Sequence, residues 1–262
     1  MWLHQQAYVN KQCRHFIDEE QGGRILKTPV SVDAYAELSF DDGEAPSREE
    51  EYRQKVSSQL FAGTTTRPDI AFACNKLGSG LTVRSDNHSR EVGCCLHYLA
   101  DTRDAALEFG SGPEALYLSG YVDADDAGNK KNHTSRSGYL FVFGGASISW
   151  MSQRIKCTTL SSTESAYVAA TEAGKEACCL RFLLSEFQLL DDGMLTVLRV
   201  NNKSATTVAE GLGLKGNLKH MERCYAWLQQ MVKHGKIALK YIPITEQPAD
   251  FLTKALHYLA FN

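Results

Sequence analysis

No apolar run in this 262-residue chain approaches the ~20 residues that a membrane-spanning helix needs, so no membrane partner is expected. The start, Met1 to Gln6, lacks the basic segment and the apolar run of a secretory leader. Eight cysteines are present, but none forms a Cys-x-x-Cys pair, and no regular framework links them. The adjacent pairs Cys94-Cys95 and Cys178-Cys179 read as small apolar residues on helix faces. These absences argue against disulfides and zinc, and predict reduced thiols in an intracellular protein, cytoplasmic or nuclear. A basic excess is missing too: 28 Lys and Arg stand against 31 Asp and Glu, a net charge of -3. A nucleic-acid partner would therefore have to be held by a local patch. No internal repeat or low-complexity tract is evident. What remains is an ordinary globular composition, enough for one large or two modest domains.

The run at 41–51, Asp-Asp-Gly-Glu-Ala-Pro-Ser-Arg-Glu-Glu-Glu, is acidic and nearly free of apolar residues, and reads as an exposed linker. Helices are predicted at 50–62, 68–77 and 89–99, the second with Pro68 at its first position. Gly-Ser-Gly-Pro at 110–113 signals a turn, and the pattern changes after it. The predicted domains are therefore 1–112 and 113–262. In the second, strands are expected at 115–122, 138–143 and 147–151. A long helix follows, with Tyr167, Ala170, Ala173, Ala177, Leu180, Leu184 and Phe187 as one apolar stripe. Then come a strand at 196–200, helices at 204–210 and 221–233, a strand at 237–242 and a helix at 249–257.

Three acids and an amide stand out in this frame. Asp123 lies in Gly-Tyr-Val-Asp-Ala-Asp, Glu164 in Ser-Ser-Thr-Glu, Asn201 in Val-Asn-Asn-Lys and Asp250 in Gln-Pro-Ala-Asp. Carboxylates converging from separate elements make a site for hard divalent cations. Two such ions about 4 Å apart can clamp a phosphodiester for attack by water, so the spacing points to a nuclease. Each residue also has a plainer reading. Ser161-Ser162-Thr163-Glu164 fits a helix capping box. Asp123, Asp125 and Asp126 could form a solvated turn, and Asp250 could favour the positive end of a helix dipole.

The ordered words resemble the ribonuclease H domain of copia-type retrotransposon polyproteins. They are Gly-Tyr-Val-Asp-Ala-Asp at 120–125, Ser-Arg-Ser-Gly-Tyr at 135–139 and Gly-Gly-Ala-Ser-Ile-Ser-Trp at 144–150. Leu-Ser-Ser-Thr-Glu at 160–164, Asn-Lys-Ser-Ala at 202–205, Lys-His at 219–220 and Gln-Pro-Ala-Asp-Phe-Leu-Thr-Lys-Ala-Leu at 247–256 continue the series. Upstream, Thr-Thr-Arg-Pro-Asp-Ile-Ala-Phe-Ala at 65–73 looks like the family's joint between polymerase and nuclease. Gln-Ala-Tyr-Val-Asn at 6–10 and Lys-Thr-Pro-Val at 27–30 look like the end of the polymerase.

The resemblance implies an α/β fold: a ribonuclease H-like mixed five-stranded sheet with helices on both faces, preceded by a mostly helical thumb and connection remnant. It implies cleavage of the RNA strand of an RNA–DNA hybrid with Mg2+, or Mn2+. Asp123, Glu164 and Asp250 would be the metal ligands, and His220 a further catalytic residue beside Lys219. Other parts of a retroelement polyprotein would be partners. Lys130, Lys131 and Arg136, with His133, and then Lys215, Lys219 and Arg223 are candidate phosphate contacts, or else solvated loops. Trp150 and Trp227 read as core residues.

The chain departs from the family at several positions. The family's third ligand is the aspartate of Asp-Asn-Gln-Ser-Ala, and Asn201 stands there. Asp126 replaces a tryptophan and Ala226 a histidine, and no Tyr-x-Asp-Asp polymerase motif occurs. Asn201 lacks a full negative charge. Loss of partners even one shell out from a metal costs about 10- to 100-fold, so cleavage should be weak or absent. The alternative is a non-catalytic nucleic-acid-binding or structural remnant. In that remnant Phe61, Ile70, Phe72 and Leu77 are expected to be left exposed.

Overall fold

The computed structural model describes residues 1–17, 26–32, 49–81, 86–110, 117–129, 134–190, 193–211 and 222–257. The chain forms two compact units, one of Met1–Glu108 with the stretch from Lys254, the other of Phe109–Thr253.

The first unit is helical. It contains β1 (Trp2–Leu3), α1 (Gln6–Phe16), α2 (Glu49–Thr65), α3 (Ala71–Gly78), α4 (Asp86–Asp101) and β2 (Leu107–Glu108), with β1 and β2 paired antiparallel. Residues 49–51 of the expected linker already belong to α2, while 41–48 lie outside the described residues. Along α4 the buried positions His88, Glu91, Val92, Cys95, Leu96, Tyr98 and Leu99 recur at three- and four-residue steps, which gives the helix one inward face. That face packs with Tyr52, Val56 and Ala62 of α2 and Phe72, Ala73 and Leu77 of α3. Gln59 is buried among them and donates its side-chain amide to the Val92 carbonyl at 2.7 Å. The expected exposure of this unit's apolar residues is corrected. Of the four residues named, Ile70, Phe72 and Leu77 are at most 2% exposed, and Phe61 alone stands out at 51%. The unit has a core of its own because α2, α3 and α4 supply matching apolar faces.

The second unit is built on a five-stranded sheet. Its strands are β3 (Ser119–Asn129), β4 (Thr134–Phe143), β5 (Ala146–Arg154), β6 (Thr196–Val200) and β7 (Ile237–Tyr241), in the order β5-β4-β3-β6-β7. β3 pairs antiparallel with β4, and β4 with β5. β6 runs parallel to both β3 and β7. The β4–β5 hairpin turns through Gly144 and Gly145, whose φ angles of 67° and 85° belong to a region that side chains disfavour. Helix α5 (Ser162–Glu186) carries the chain back to β6; α6 (Lys203–Ala209) and α7 (Glu222–Lys233) connect β6 to β7. Ala166, Ala169, Ala170, Ala173 and Ala177 are all buried on α5. Their small side chains let the helix settle close to Val122, Tyr139, Phe141 and Leu198, and the fully buried Phe141 and Leu198 alone each contribute about 1.5–3 kcal/mol. This is the mixed α/β sheet of a ribonuclease H-like fold.

Three sequence expectations change here. The first strand begins at Ser119 and runs through Asp123, Asp125 and Asp126, so these acids do not form a turn; Asp125 pairs with Arg136 across the ladder. Phe187 is not part of the buried stripe: α5 stops at Glu186, Gln188 takes a positive φ of 59°, and Phe187 is 65% exposed. The final helix shrinks to a 3-10 turn, Pro248–Leu252. Among the described residues no helix is long and apolar enough to cross a membrane.

Candidate functional site

The parallel pairing of β3 with β6 sets Val122 beside Val200; β3 then continues into Asp123, while β6 ends and the chain passes into Asn201. Asp123 is 2% exposed, and Asn201 is half-buried next to it. The Asn201 Nδ2 donates to Asp123 Oδ1 at 2.9 Å. The orientation of the amide follows from the chemistry, since an ionised carboxylate can only accept. The other carboxylate oxygen, Oδ2, accepts from the Thr253 hydroxyl. That hydroxyl also lies 3.1 Å from the Asp250 carbonyl oxygen.

Thr253 is brought there by the 3-10 turn. Gln247 precedes the turn, is buried, and donates its amide to the Val122 carbonyl at 2.8 Å. Its side-chain oxygen accepts from the Ala249 N–H at 3.3 Å. The turn presses on the sheet at Gly138, the register partner of Asp123. A Cβ at Gly138 would stand 2.7 Å from Leu252 Cβ and 3.1 Å from Thr253 Cγ2. The glycine of Ser-Arg-Ser-Gly-Tyr is thus what allows the turn to reach Asp123. Asp250 is carried on the same turn, half-buried.

Glu164 sits in the first turn of α5 and is buried. Ser161 caps this helix by accepting the Glu164 N–H at 3.2 Å, and Glu164 Oε2 accepts the Leu160 N–H at 2.8 Å. The capping geometry is therefore present, but the carboxylate reaches Leu160 rather than the cap residue. Asp126, exposed near the end of β3, accepts from the Ser135 hydroxyl at 3.1 Å and the Ser165 hydroxyl at 2.7 Å. Thr159 joins both serines, at 2.9 and 3.0 Å. This cluster ties β3, β4 and the first turn of α5 together. Among the described residues, no group of three His, Cys, Asp or Glu side chains is arranged to hold a metal ion.

Of the expected phosphate contacts, Lys130, Lys131, His133, Lys215 and Lys219 lie outside the described residues, as does His220. Arg223 is the second residue of α7. Arg136 is a correction: it belongs to β4 and is buried, so it is not a loop cation. Trp150 and Trp227 are half-buried, and Trp227 packs against the core of the sheet unit. Gln247, Thr253 and the Asp126 cluster do not stand out in the sequence, although the word Gln-Pro-Ala-Asp-Phe-Leu-Thr contains the first two.

No family model matches the chain. The retrovirus-related Pol polyprotein from transposon TNT 1-94 of Nicotiana tabacum is 33% identical over 264 residues, 98% of this chain and 19% of that protein. The secreted RxLR effector protein 161 of Plasmopara viticola is 37% identical over 129 residues, 49% of this chain and 90% of that protein. Among solved structures, LC11-RNase H1 in complex with an RNA/DNA hybrid matches 52% of this chain and 93% of its own at 19% identity, with a TM-score of 0.40. The chain spans about a fifth of the Pol polyprotein it matches, since the aligned part is 19% of that protein. Its ordered words, its strand topology and its similarity along almost the whole length agree: the chain is similar to the Pol polyproteins of copia-type retrotransposons, and its sheet unit is a ribonuclease H-like domain.

Proposed function

We propose that the Phe109–Thr253 unit is a retroelement nuclease domain of the type that hydrolyses the RNA strand of RNA–DNA hybrids, and that its hydrolysis is impaired. The Met1–Glu108 unit corresponds to the thumb and connection of a reverse transcriptase, with other parts of the polyprotein as its partners in an intracellular setting. Lys130, Lys131, Lys215, Lys219, His220 and Arg223 remain the candidate grip on the hybrid. Binding through them would weaken steeply with salt. Arg136, buried in its strand, is left out of that grip.

Magnesium, with manganese as the alternative, is the cofactor this chemistry takes, and Asp123, Glu164 and Asp250 are the residues that would hold it. Their arrangement does not fit a pair of ions. Asn201 donates to Asp123 instead of offering a negative oxygen, and both oxygens of Asp123 already accept hydrogen bonds. Glu164 Oε2 is engaged with the Leu160 N–H. The observation that carries the reading is the Asn201–Asp123 bond at the polar end of a ribonuclease H-like sheet.

The test is cleavage of a labelled RNA–DNA hybrid in magnesium and in manganese, with the natural chain beside Asn201→Asp. The natural chain is expected to be slower by about 10- to 100-fold or more. Cleavage by the natural chain within about tenfold of the aspartate variant in magnesium would overturn the proposed impairment.

A further inference from the structure

We propose that Asn201, Asp123 and Thr253 form a hydrogen-bonded latch that holds the polar end of the sheet together without a divalent cation. The inference rests on the proposed function in one respect, that these positions descend from a ligand set.

A carboxylate that is 2% exposed has lost most of its water, and its charge has to be met by something else. Here it is met on both oxygens by neutral donors, the amide of Asn201 and the hydroxyl of Thr253. The three residues come from three different places: the interior of β3, the end of β6 and the C-terminal turn. Gln247 fixes that turn to the same strand through the Val122 carbonyl, so the latch closes on a rigid frame. An aspartate at 201 could not do this. It has no N–H to give, and two ionised carboxylates at hydrogen-bonding distance repel unless a cation lies between them. The exchange of acid for amide thus removes a requirement for metal at the same stroke as it removes a ligand.

The consequence is a reversal of metal dependence by one substitution. The test is thermal melting of the full chain in EDTA and in millimolar magnesium. Fluorescence of Trp150 and Trp227, both in the sheet unit, is the signal. The natural chain should melt at the same temperature in both buffers, within about 1 °C. Asn201→Asp should melt at least about 3 °C lower in EDTA and regain that loss in magnesium, because a ligand that binds only the folded state raises its melting point. Asn201→Ala and Thr253→Val, which remove a donor without adding charge, should melt lower in both buffers and ignore magnesium. Should Asn201→Asp fail to fold in EDTA, recovery of its far-UV circular dichroism on adding magnesium gives the same support.

A natural chain stabilised by magnesium as strongly as Asn201→Asp would overturn the latch. So would an Asn201→Asp variant as stable as the natural chain in EDTA. Parallel hybrid cleavage separates the two proposals. If Asn201→Asp gains magnesium-dependent stability but never cuts, the latch stands and the nuclease reading falls. If Asn201→Asp cuts while the natural chain also gains stability from magnesium, the nuclease reading stands and the latch falls.

Discussion

Asp69 in the helical unit and Asp123 in the sheet unit are both drawn in from water, but they are satisfied in opposite ways. Asp69 meets a cation: Arg67, itself 3% exposed, donates to it from Nε at 2.9 Å and Nη2 at 2.6 Å. The same guanidinium reaches the Thr102 carbonyl at 3.0 Å and the Thr102 hydroxyl at 2.6 Å, and lies 5.5 Å from the centre of the Tyr98 ring. Tyr98 adds its hydroxyl to Asp69 at 2.8 Å. Burial opposes the charge on Arg67, yet the hydrogen bond and charge of Asp69 offset this and its pKa rises. Among the described residues, the hydrogen bonds to Asp123 come from an amide and a hydroxyl rather than from a cation. The Thr-Arg-Pro-Asp word thus builds a permanent ion pair that fastens α4 to the turn before α3. The polar end of the sheet is where a removable cation would do that work, and this chain has put a neutral donor there.

Breaking the permanent pair should have the largest effect. Arg67→Ala leaves Asp69 and Tyr98 facing a void in place of a guanidinium. Loss of one partner from a buried pair costs about 3–5 kcal/mol, and with Asp69 26% exposed the loss should lie at the lower end of that range, which denaturant unfolding of the variant would measure. A loss under about 1 kcal/mol would mean that the pair behaves like an exposed one.

Acid should separate the two units next. Burial, and then the nearby charge of Lys76, lower the pKa of His88 from its ordinary 6.5 to about 4. A histidine depressed in the fold favours the neutral form. Its contribution is therefore complete above pH 6.5 and is lost as the pH falls through about 4. The full effect is on the order of 3 kcal/mol, since each tenfold loss of proton affinity is worth about 1.4 kcal/mol. Helical-unit stability followed from pH 7 to 4 should fall in this window, and His88→Leu should flatten the slope. An unchanged slope would place the acid sensitivity elsewhere.

A third substitution sharpens the comparison from the other side. Gly138→Ala forces a Cβ to within 2.7 Å of Leu252 Cβ, against backbone that has little room to move. The turn must lift, and overpacking of this kind costs about 1–3 kcal/mol. Because Thr253 rides on the turn, the loss should be smaller when Thr253 is already valine. Additive losses would show that the turn and the latch are independent.

The elements are not equally legible in the sequence. β6 is readable at 196–200 because Thr196, Leu198 and Val200 alternate inward with Val197 and Arg199, which is the period of a half-buried strand. The expected start of β3 is too early because the apolar residues from 115 onward look like strand. Its end is hidden because acids look like a turn, when pairing with β4 carries them on. The residues at 249–257 favour helix, while the contacts of Leu252 and Thr253 with Gly138 hold the chain in a tighter turn. Asp123 and Asn201 can be named from words in the chain, but not the bond between them. Thr253 and Gln247 act through a hydroxyl and an amide that any surface could carry, so only their tertiary placement reveals them. The same is true of Arg136, whose charge reads as a surface feature until β4 takes it inside.

Asp126 supplies the mildest case. Its carboxylate, like that of Asp123, is held by neutral donors, here the hydroxyls of Ser135 and Ser165, but it is exposed. Water can replace either hydroxyl once the carboxylate is gone, so the desolvation penalty that makes Asp123 critical is absent. Asp126→Ala should therefore cost only about 0.5–1.5 kcal/mol, the ordinary worth of a hydrogen bond, measured by denaturant unfolding. Its value lies in what it moves. The cluster anchors the first turn of α5, where Ser161 and Glu164 form the cap, and loosening it should speed amide exchange at Glu164 and Ser165 without touching β6. If exchange instead rises equally along β3, β6 and the C-terminal turn, then the Asp126 cluster and the Asp123 latch are one cooperative unit, and the contrast between an exposed and a buried carboxylate loses its force.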